Sequence, residues 1–271
     1  MAREGHDRLT IDVPDIQIGL IRQLEQVVRS PLHVVMMSGS SIDLTHIRDS
    51  NQSGSLIWMG YAGQSGGEAI ANVIFGQYNP GGRLPITFYP AAYVVDFSMR
   101  DMQMRPSTTN PGRTYKFYTG QAVYEFGDGL SYTTFSYSWY NDSSESIISI
   151  ESLAQQNTND GKKVLAQIYR VNVTNTGSIL GSDAVLGFVT PPNKSLVDPS
   201  PPLKRLFAFE RVLLDVNETT QIFFPLNVQS LLTVALDGSK WLEAGSYRIL
   251  VGKQHMHTLH LRGKPIKYSS F

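Results

Sequence analysis

The sequence predicts an α/β unit, part of a doubly wound sandwich, followed by an all-β sandwich. Three observations carry this. Two short, continuously apolar runs, 34–37 and 56–59, sit among segments of helical period, as expected of parallel strands buried on both faces. From Phe135 onward apolar residues alternate instead, in short runs separated by polar turns. The 271 residues, 41% hydrophobic and 17% charged, make about two domains with enough apolar matter for a core.

Pro14 suits the first turn of a helix, and Asp15 puts negative charge at its positive end. Leu20, Ile21, Leu24, Val27 and Val28 recur at helical spacing until Ser30-Pro31 stops the helix. The strand 34–37 ends in the polar turn Ser38-Gly39-Ser40-Ser41, and the strand 56–59 runs into Gly60-Tyr61-Ala62-Gly63-Gln64-Ser65-Gly66-Gly67. The next helix is expected to carry Ala69, Ile70, Val73 and Ile74 inward and to end at Gly76. Asn79-Pro80-Gly81-Gly82 reads as a turn, after which 84–89 resumes extended structure. Residues 91–134 lack a period but are rich in Pro, Gly, Arg and aromatic side chains, the composition of a connector that packs. In the β part Thr220, Ile222, Phe224 and Leu226 alternate, as do Tyr247, Ile249 and Val251. Val164, Ala166 and Ile168 alternate, and Val171 and Val173 continue out of phase, which predicts a bulge. The polar stretch 141–161 is expected to be a loop. The expected divisions are therefore 1–90, 91–134 and 135–271.

Lys+Arg and Asp+Glu are both 23, giving a net charge of +0 with no basic run, so no nucleic-acid partner is expected. No apolar stretch reaches the ~18 residues of a membrane span. The first eight residues have no apolar region and do not read as a signal peptide. The absence of cysteine removes disulfides, thiolate ligands and cysteine nucleophiles. Sequons at Asn51, Asn141, Asn172, Asn193 and Asn217 exceed the chance rate of about one per two hundred residues and point to a secreted glycoprotein.

The glycine-rich loop 60–67 lies where α/β sheets bind ligands, between the C-terminal end of a strand and the start of a helix. No Gly-Lys-Ser/Thr follows and the G-x-G-x-x-G spacing is absent, so it is neither a phosphate loop nor a dinucleotide loop. It is either a tight strand–helix turn or the wall of a ligand cleft. Gly63-Gln64-Ser65-Gly66-Gly67 spaces its outer glycines like a nucleophile elbow, but no Asp and then His follow in the α/β part. Glu4-Gly5-His6-Asp7-Arg8 is either a solvated terminus or a loop whose charges set each other's pKa beside a site. His255, His257 and His260 do not share one strand face and have no acidic cluster nearby, so no metal is expected.

Taken together, several strings resemble the C-terminal portion of glycoside hydrolase family three enzymes, especially their β-xylosidase branch. They are Glu4-Gly5-His6-Asp7-Arg8; 31–37 with Ser38-Gly39 and Ile42-Asp43; 57–67; 75–85, with Asn79-Pro80-Gly81-Gly82-Arg83-Leu84-Pro85; Met104-Arg105-Pro106; 110–115; Phe117-Tyr118-Thr119-Gly120; and 124–135. Residues 171–177 and 244–252 resemble the fibronectin type III-like domain that ends many of these enzymes. The resemblance covers essentially the whole chain. It implies an α/β sandwich domain, partial here, and then the fibronectin-like β-sandwich. Such enzymes open with a (β/α)₈-like barrel that carries the nucleophilic Asp, and the α/β sandwich supplies the acid/base carboxyl. This chain is expected to start inside that second domain, without the barrel.

In the branch it resembles, the catalytic Glu precedes an Asp-Arg dipeptide by five positions and a second Glu precedes it by three. Counted from Asp7, the second is Glu4 and the acid/base place falls on Ala2. Retaining glycosidases work with two carboxyls about 5–5.5 Å apart. The implied family function is exo-acting, retaining hydrolysis of β-linked xylo-oligosaccharides, with no cofactor, and this chain is expected to be inactive by itself. Trp58, Tyr61, Gln64 and Arg105 are the sugar-binding candidates, because aromatic faces stack on sugar C–H surfaces and Arg and Gln bond hydroxyls. Core or interdomain packing is their alternative role. β-Glucosidase and α-arabinofuranosidase specificities share the scaffold. Two rival readings stand beside this one: a non-catalytic carbohydrate- or protein-binding module acting through the β-sandwich, and a subunit that pairs with a separately encoded barrel.

Overall fold

The computed structural model describes residues 5, 8–96, 98, 100–140, 144–156 and 164–268. They fall into two compact units, Met1–Tyr78 with Leu84–Asp128, and Asn79–Arg83 with Gly129–Phe271.

The first unit contains α1 (Asp15–Val27), β1 (Leu32–Met36), α2 (Thr45–Asp49), β2 (Ser53–Trp58), α3 (Gly66–Ile74), α4 (Ala92–Asp96) and α5 (Thr114–Phe117). Pro14, at φ −52, leads into α1 and Asp15 occupies its first turn. β1 and β2 pair in parallel, with Val34 opposite Leu56 and Met36 opposite Trp58. Their burial is partial, because a sheet of two strands leaves each with an unpaired edge. The core gathers Val13, Met36, Leu44, Ile47, Phe88 and Val123, and α1 packs Ile18 and Ile21 against it. That choice of face turns Leu20 and Val27 outward, 57% and 73% exposed, although their spacing is helical. In α3 Ile70 and Val73 are half-buried, as are Ala71 and Asn72, while Ala69 and Ile74 are exposed. Residues 84–89 do not form the expected strand. A single bridge joins Phe88 to Tyr124, flanked by Leu84 N–H donating to Asp128 C=O at 2.8 Å. Pro85 has no N–H with which to extend a ladder.

The second unit contains β3 (Phe135–Trp139), β4 (Glu145–Ser149), α6 (Ile150–Gln155), β5 (Leu165–Asn175), β6 (Gly181–Thr190), β7 (Arg205–Leu214), β8 (Thr219–Asn227), α7 (Val228–Leu231), β9 (Thr233–Val234), β10 (Lys240–Leu242), β11 (Gly245–Val251), β12 (Gln254–Arg262) and β13 (Ile266–Lys267). Sheets of order β3-β5-β8 and β4-β12-β11-β6-β7 enclose one core, and β13-β10-β9 forms a small third sheet. Ile222, Phe224 and Leu226 face inward, as do Tyr247, Ile249 and Val251, so the alternating runs were legible. The bulge in β5 falls between Leu165 and Gln167, earlier than the sequence indicates. Ile168 is therefore turned outward, 49% exposed, while Tyr169, Val171 and Val173 face the core. The stretch 141–161 is not all loop. Its described part forms β4 and α6, and Ile150 and Leu153 are 0% and 1% exposed. Ser149 caps α6 by accepting from Ser152 N–H.

Candidate functional site

The candidate site is built at the C-terminal ends of β1 and β2, where the two parallel strands deliver their loops side by side. Met59 N–H donates to Met36 C=O at 3.1 Å and closes the strand pair. Beyond it the Trp58 indole N–H donates to Ser38 Oγ at 2.9 Å, and Ser38 Oγ donates to Ser40 C=O at 2.9 Å. The edge of the Trp58 ring meets Phe88, with centroids 5.8 Å apart. Trp58 thus ties the first loop to the second. The second loop needs Gly60 and Gly63 at φ 60 and 71, a left-handed backbone that glycine adopts without strain. The Tyr61 ring lies over Gly39, where an added Cβ would come within 2.8 Å of it, and Tyr61 is 76% exposed. Gln64 and Ser65 are exposed as well, with Ser65 as the N-cap residue of α3. Trp58 is thus half-buried and hydrogen-bonded at the end of β2, while Tyr61 and Gln64 stand exposed on the loop that follows it.

Asp43 fixes the loop that follows β1. One of its carboxylate oxygens accepts from Thr45 N–H at 2.8 Å and from Thr45 Oγ1, and the other accepts from Ala91 N–H at 2.8 Å. Ser41 Oγ accepts from Tyr89 N–H at 3.0 Å.

Arg105 is held on the connector, half-buried, with its guanidinium 5.4 Å over the Phe117 ring. That connector is packed, as its composition indicates. Tyr89 stacks on Tyr93 at 4.1 Å, and both meet Tyr118 edge-on at 4.9 and 5.3 Å. Burial raises the phenol pKa of all three, so they stay neutral hydroxyl groups. Asn110, 2% exposed, donates to Asp101 and accepts from Gly112 N–H at 2.7 Å. Arg113 donates to the carbonyls of Ser98 and Asp101. The string 110–115 assigns these residues no role from sequence alone. Its signal was the run of Pro, Gly and aromatic residues.

Ala2, Glu4, His6, Asp7 and Asn141 lie outside the described residues. Asn51, Asn193 and Asn217 are exposed, and Asn172 is half-buried within β5. His257 is buried, stacked on Trp139, with Nε2 2.8 Å from Ser146 Oγ. His260 pairs outward with Ser246 and Glu145. Among the described residues no three His, Asp or Glu side chains gather as a metal-binding group.

The glycosyl hydrolase family 3 C-terminal domain matches residues 1–132, and a fibronectin type III-like domain matches residues 183–255. The chain thus carries a glycosyl hydrolase family 3 C-terminal domain followed by a fibronectin type III-like domain. It is 35% identical over 267 residues to a probable β-D-xylosidase of Arabidopsis thaliana, covering 94% of this chain and 35% of that protein. It is 36% identical over 254 residues to an exo-1,4-β-xylosidase of Aspergillus niger, covering 91% and 31%. Among solved structures, a family 3 exo-β-xylosidase in complex with a xylobiose aziridine probe superposes with TM-score 0.89 at 32% identity, covering 98% of this chain and 35% of that one. A β-D-glucoside glucohydrolase from Trichoderma reesei shares the fold, with TM-score 0.72 at 23% identity and coverage of 97% and 38%. The chain spans about a third of the length of the curated relatives it matches.

Proposed function

We propose that this chain works as the C-terminal part of an exo-acting, retaining β-xylosidase-like glycosidase. In this reading the nucleophile and the acid/base carboxyl come from outside the described residues, and the wall at the ends of β1 and β2 borders the sugar site. The observation that carries the reading is the close match in fold and sequence to exo-β-xylosidases, found together with an exposed Tyr61 and Gln64 at the strand ends, where α/β sheets take ligands. Tyr61 offers a ring face to sugar C–H groups, and Gln64 and Arg105 offer donors to hydroxyls. Trp58 keeps the wall in place. A β-linked xylo-oligosaccharide is the proposed substrate, and a barrel domain is the proposed partner. Secretion and glycosylation belong to the same proposal, with Asn51, Asn193 and Asn217 as the accessible acceptors. Peptide mass spectrometry of protein secreted by a eukaryotic host, before and after glycan removal, checks those three.

Two experiments test the catalytic reading. The chain incubated with an aryl β-xyloside should release no aglycone above buffer, and steady turnover would refute its inactivity. A chimera should then join the Aspergillus relative, up to and including its own acid/base residue, to residues 3–271 of this chain. It is expected to hydrolyse the aryl β-xyloside in preference to the β-glucoside, and the reverse preference would remove the xylosidase assignment. In that chimera Tyr61→Ala and Arg105→Ala should each raise KM about tenfold, the loss of roughly one sugar contact. Unchanged kinetics would return both to the scaffold.

A further inference from the structure

The segment Asn79-Pro80-Gly81-Gly82-Arg83 reads as a turn in the sequence, yet it packs as part of the β-sandwich unit. We propose that the sandwich holds a receptor for this segment of its own chain, and that the Arg83–Asp183 ion pair is the contact that selects it. Asp183 stands on β6 and is 2% exposed. One carboxylate oxygen accepts from Arg83 Nε at 3.2 Å and Nη2 at 2.6 Å, and the other accepts from the Tyr137 hydroxyl. Arg83 Nη1 also donates to Gly129 C=O at 3.1 Å. A carboxylate this deep is costly unless it is paired and hydrogen-bonded. Among the described residues its ion-pair partner is a residue one hundred positions upstream.

Shape selects the middle of the segment as charge selects its end. An added Cβ at Gly81 would lie 2.1 Å from Ser182 Oγ and 2.4 Å from Ser182 C=O. One at Gly181 would lie 2.5 Å from Asn79 Nδ2, and one at Gly129 would lie 2.6 Å from Gly82 C=O. The backbones touch because these positions carry no side chain. At the other end Asn79 Oδ1 accepts from Ser131 Oγ and Tyr132 N–H, both at 2.9 Å, and Asn79 Nδ2 donates to Leu180 C=O at 3.3 Å. The ligand is thus a five-residue peptide with a carboxamide at one end, two glycines in the middle and a guanidinium at the other end.

The test uses the whole chain with Arg83→Met, Asp183→Asn, the double variant and Gly81→Ala. Arg83→Met leaves a lone buried carboxylate. It should lower Tm by about 5–15 °C and speed hydrogen exchange at the Tyr132 amide at least tenfold. The double variant, with no lone charge, should regain most of that loss. Gly81→Ala should speed the same exchange although the ion pair is chemically intact. If Arg83→Met does not fold, recovery of folding in the double variant supports the proposal and failure to recover overturns it. Arg83→Met and Gly81→Ala that both leave Tm within about 1 °C and exchange unchanged would also overturn it.

Discussion

Thr114 has φ 60, a left-handed backbone that costs a β-branched residue about 1–3 kcal/mol. Its N–H donates to the Tyr89 hydroxyl at 2.7 Å, and Tyr89 is fixed by its stack on Tyr93. The strain is therefore maintained by the aromatic cluster. Thr114→Asn, which tolerates this backbone and keeps a side-chain acceptor for Lys116 N–H, should raise unfolding stability by about 0.5–1 kcal/mol in urea titration. Tyr89→Phe should lower it by about 1 kcal/mol. The sequence exposed the aromatic and proline content of this region but not the strain. Strain is a property of how three separated tyrosines converge, and residue type does not record it. Asn217, also at positive φ with a value of 63, is the contrasting case, because Asn in a polar turn is the residue expected there.

At the level of elements, β8 and β11 were readable because one face of each is fully buried and the other is wet, so period two survives in the sequence. β4 and α6 were not. Ser and Glu crowd their outer faces, and the few apolar residues that matter, Ile150 and Leu153, are too sparse to set a period. Ser149→Ala removes the cap of α6 and should cost about 0.5–2 kcal/mol near neutral pH. The Glu151 carboxylate accepts from the Ser149 hydroxyl at 2.7 Å and from Lys264 N–H, contacts that hold its pKa below the ordinary 4.5. A depressed carboxylate stabilises the fold above its unfolded pKa and loses that contribution as pH falls through the folded value. The penalty of Ser149→Ala should therefore shrink below pH 4.5. Thermal melts of both proteins across that range check the sign.

Across the whole molecule, the α/β unit turns Ile16, Leu20 and Val27 of α1 to solvent, 84%, 57% and 73% exposed, beside a parallel sheet that has two strands among the described residues. Apolar exposure on this scale should bind the dye ANS at neutral pH. Leu20→Glu with Val27→Lys should reduce that fluorescence without lowering Tm, since neither side chain supports the core. Length predicts about two domains, and alternation marks the sandwich. Neither could place Asn79–Arg83 with the β unit, because that assignment depends on one charge pair and on backbone contact at glycines.

The spacing of that pair bears on how the chain is made. Arg83 leaves the ribosome one hundred residues before Asp183. At about 5–20 residues per second, that is an interval of roughly 5–20 s. During it the α/β portion can begin to fold while its Asn-Pro-Gly-Gly-Arg stretch has nothing to dock on. Synthesis order therefore makes seating of this stretch a late event, and a pause introduced between codons 84 and 182 would lengthen its exposure to proteases.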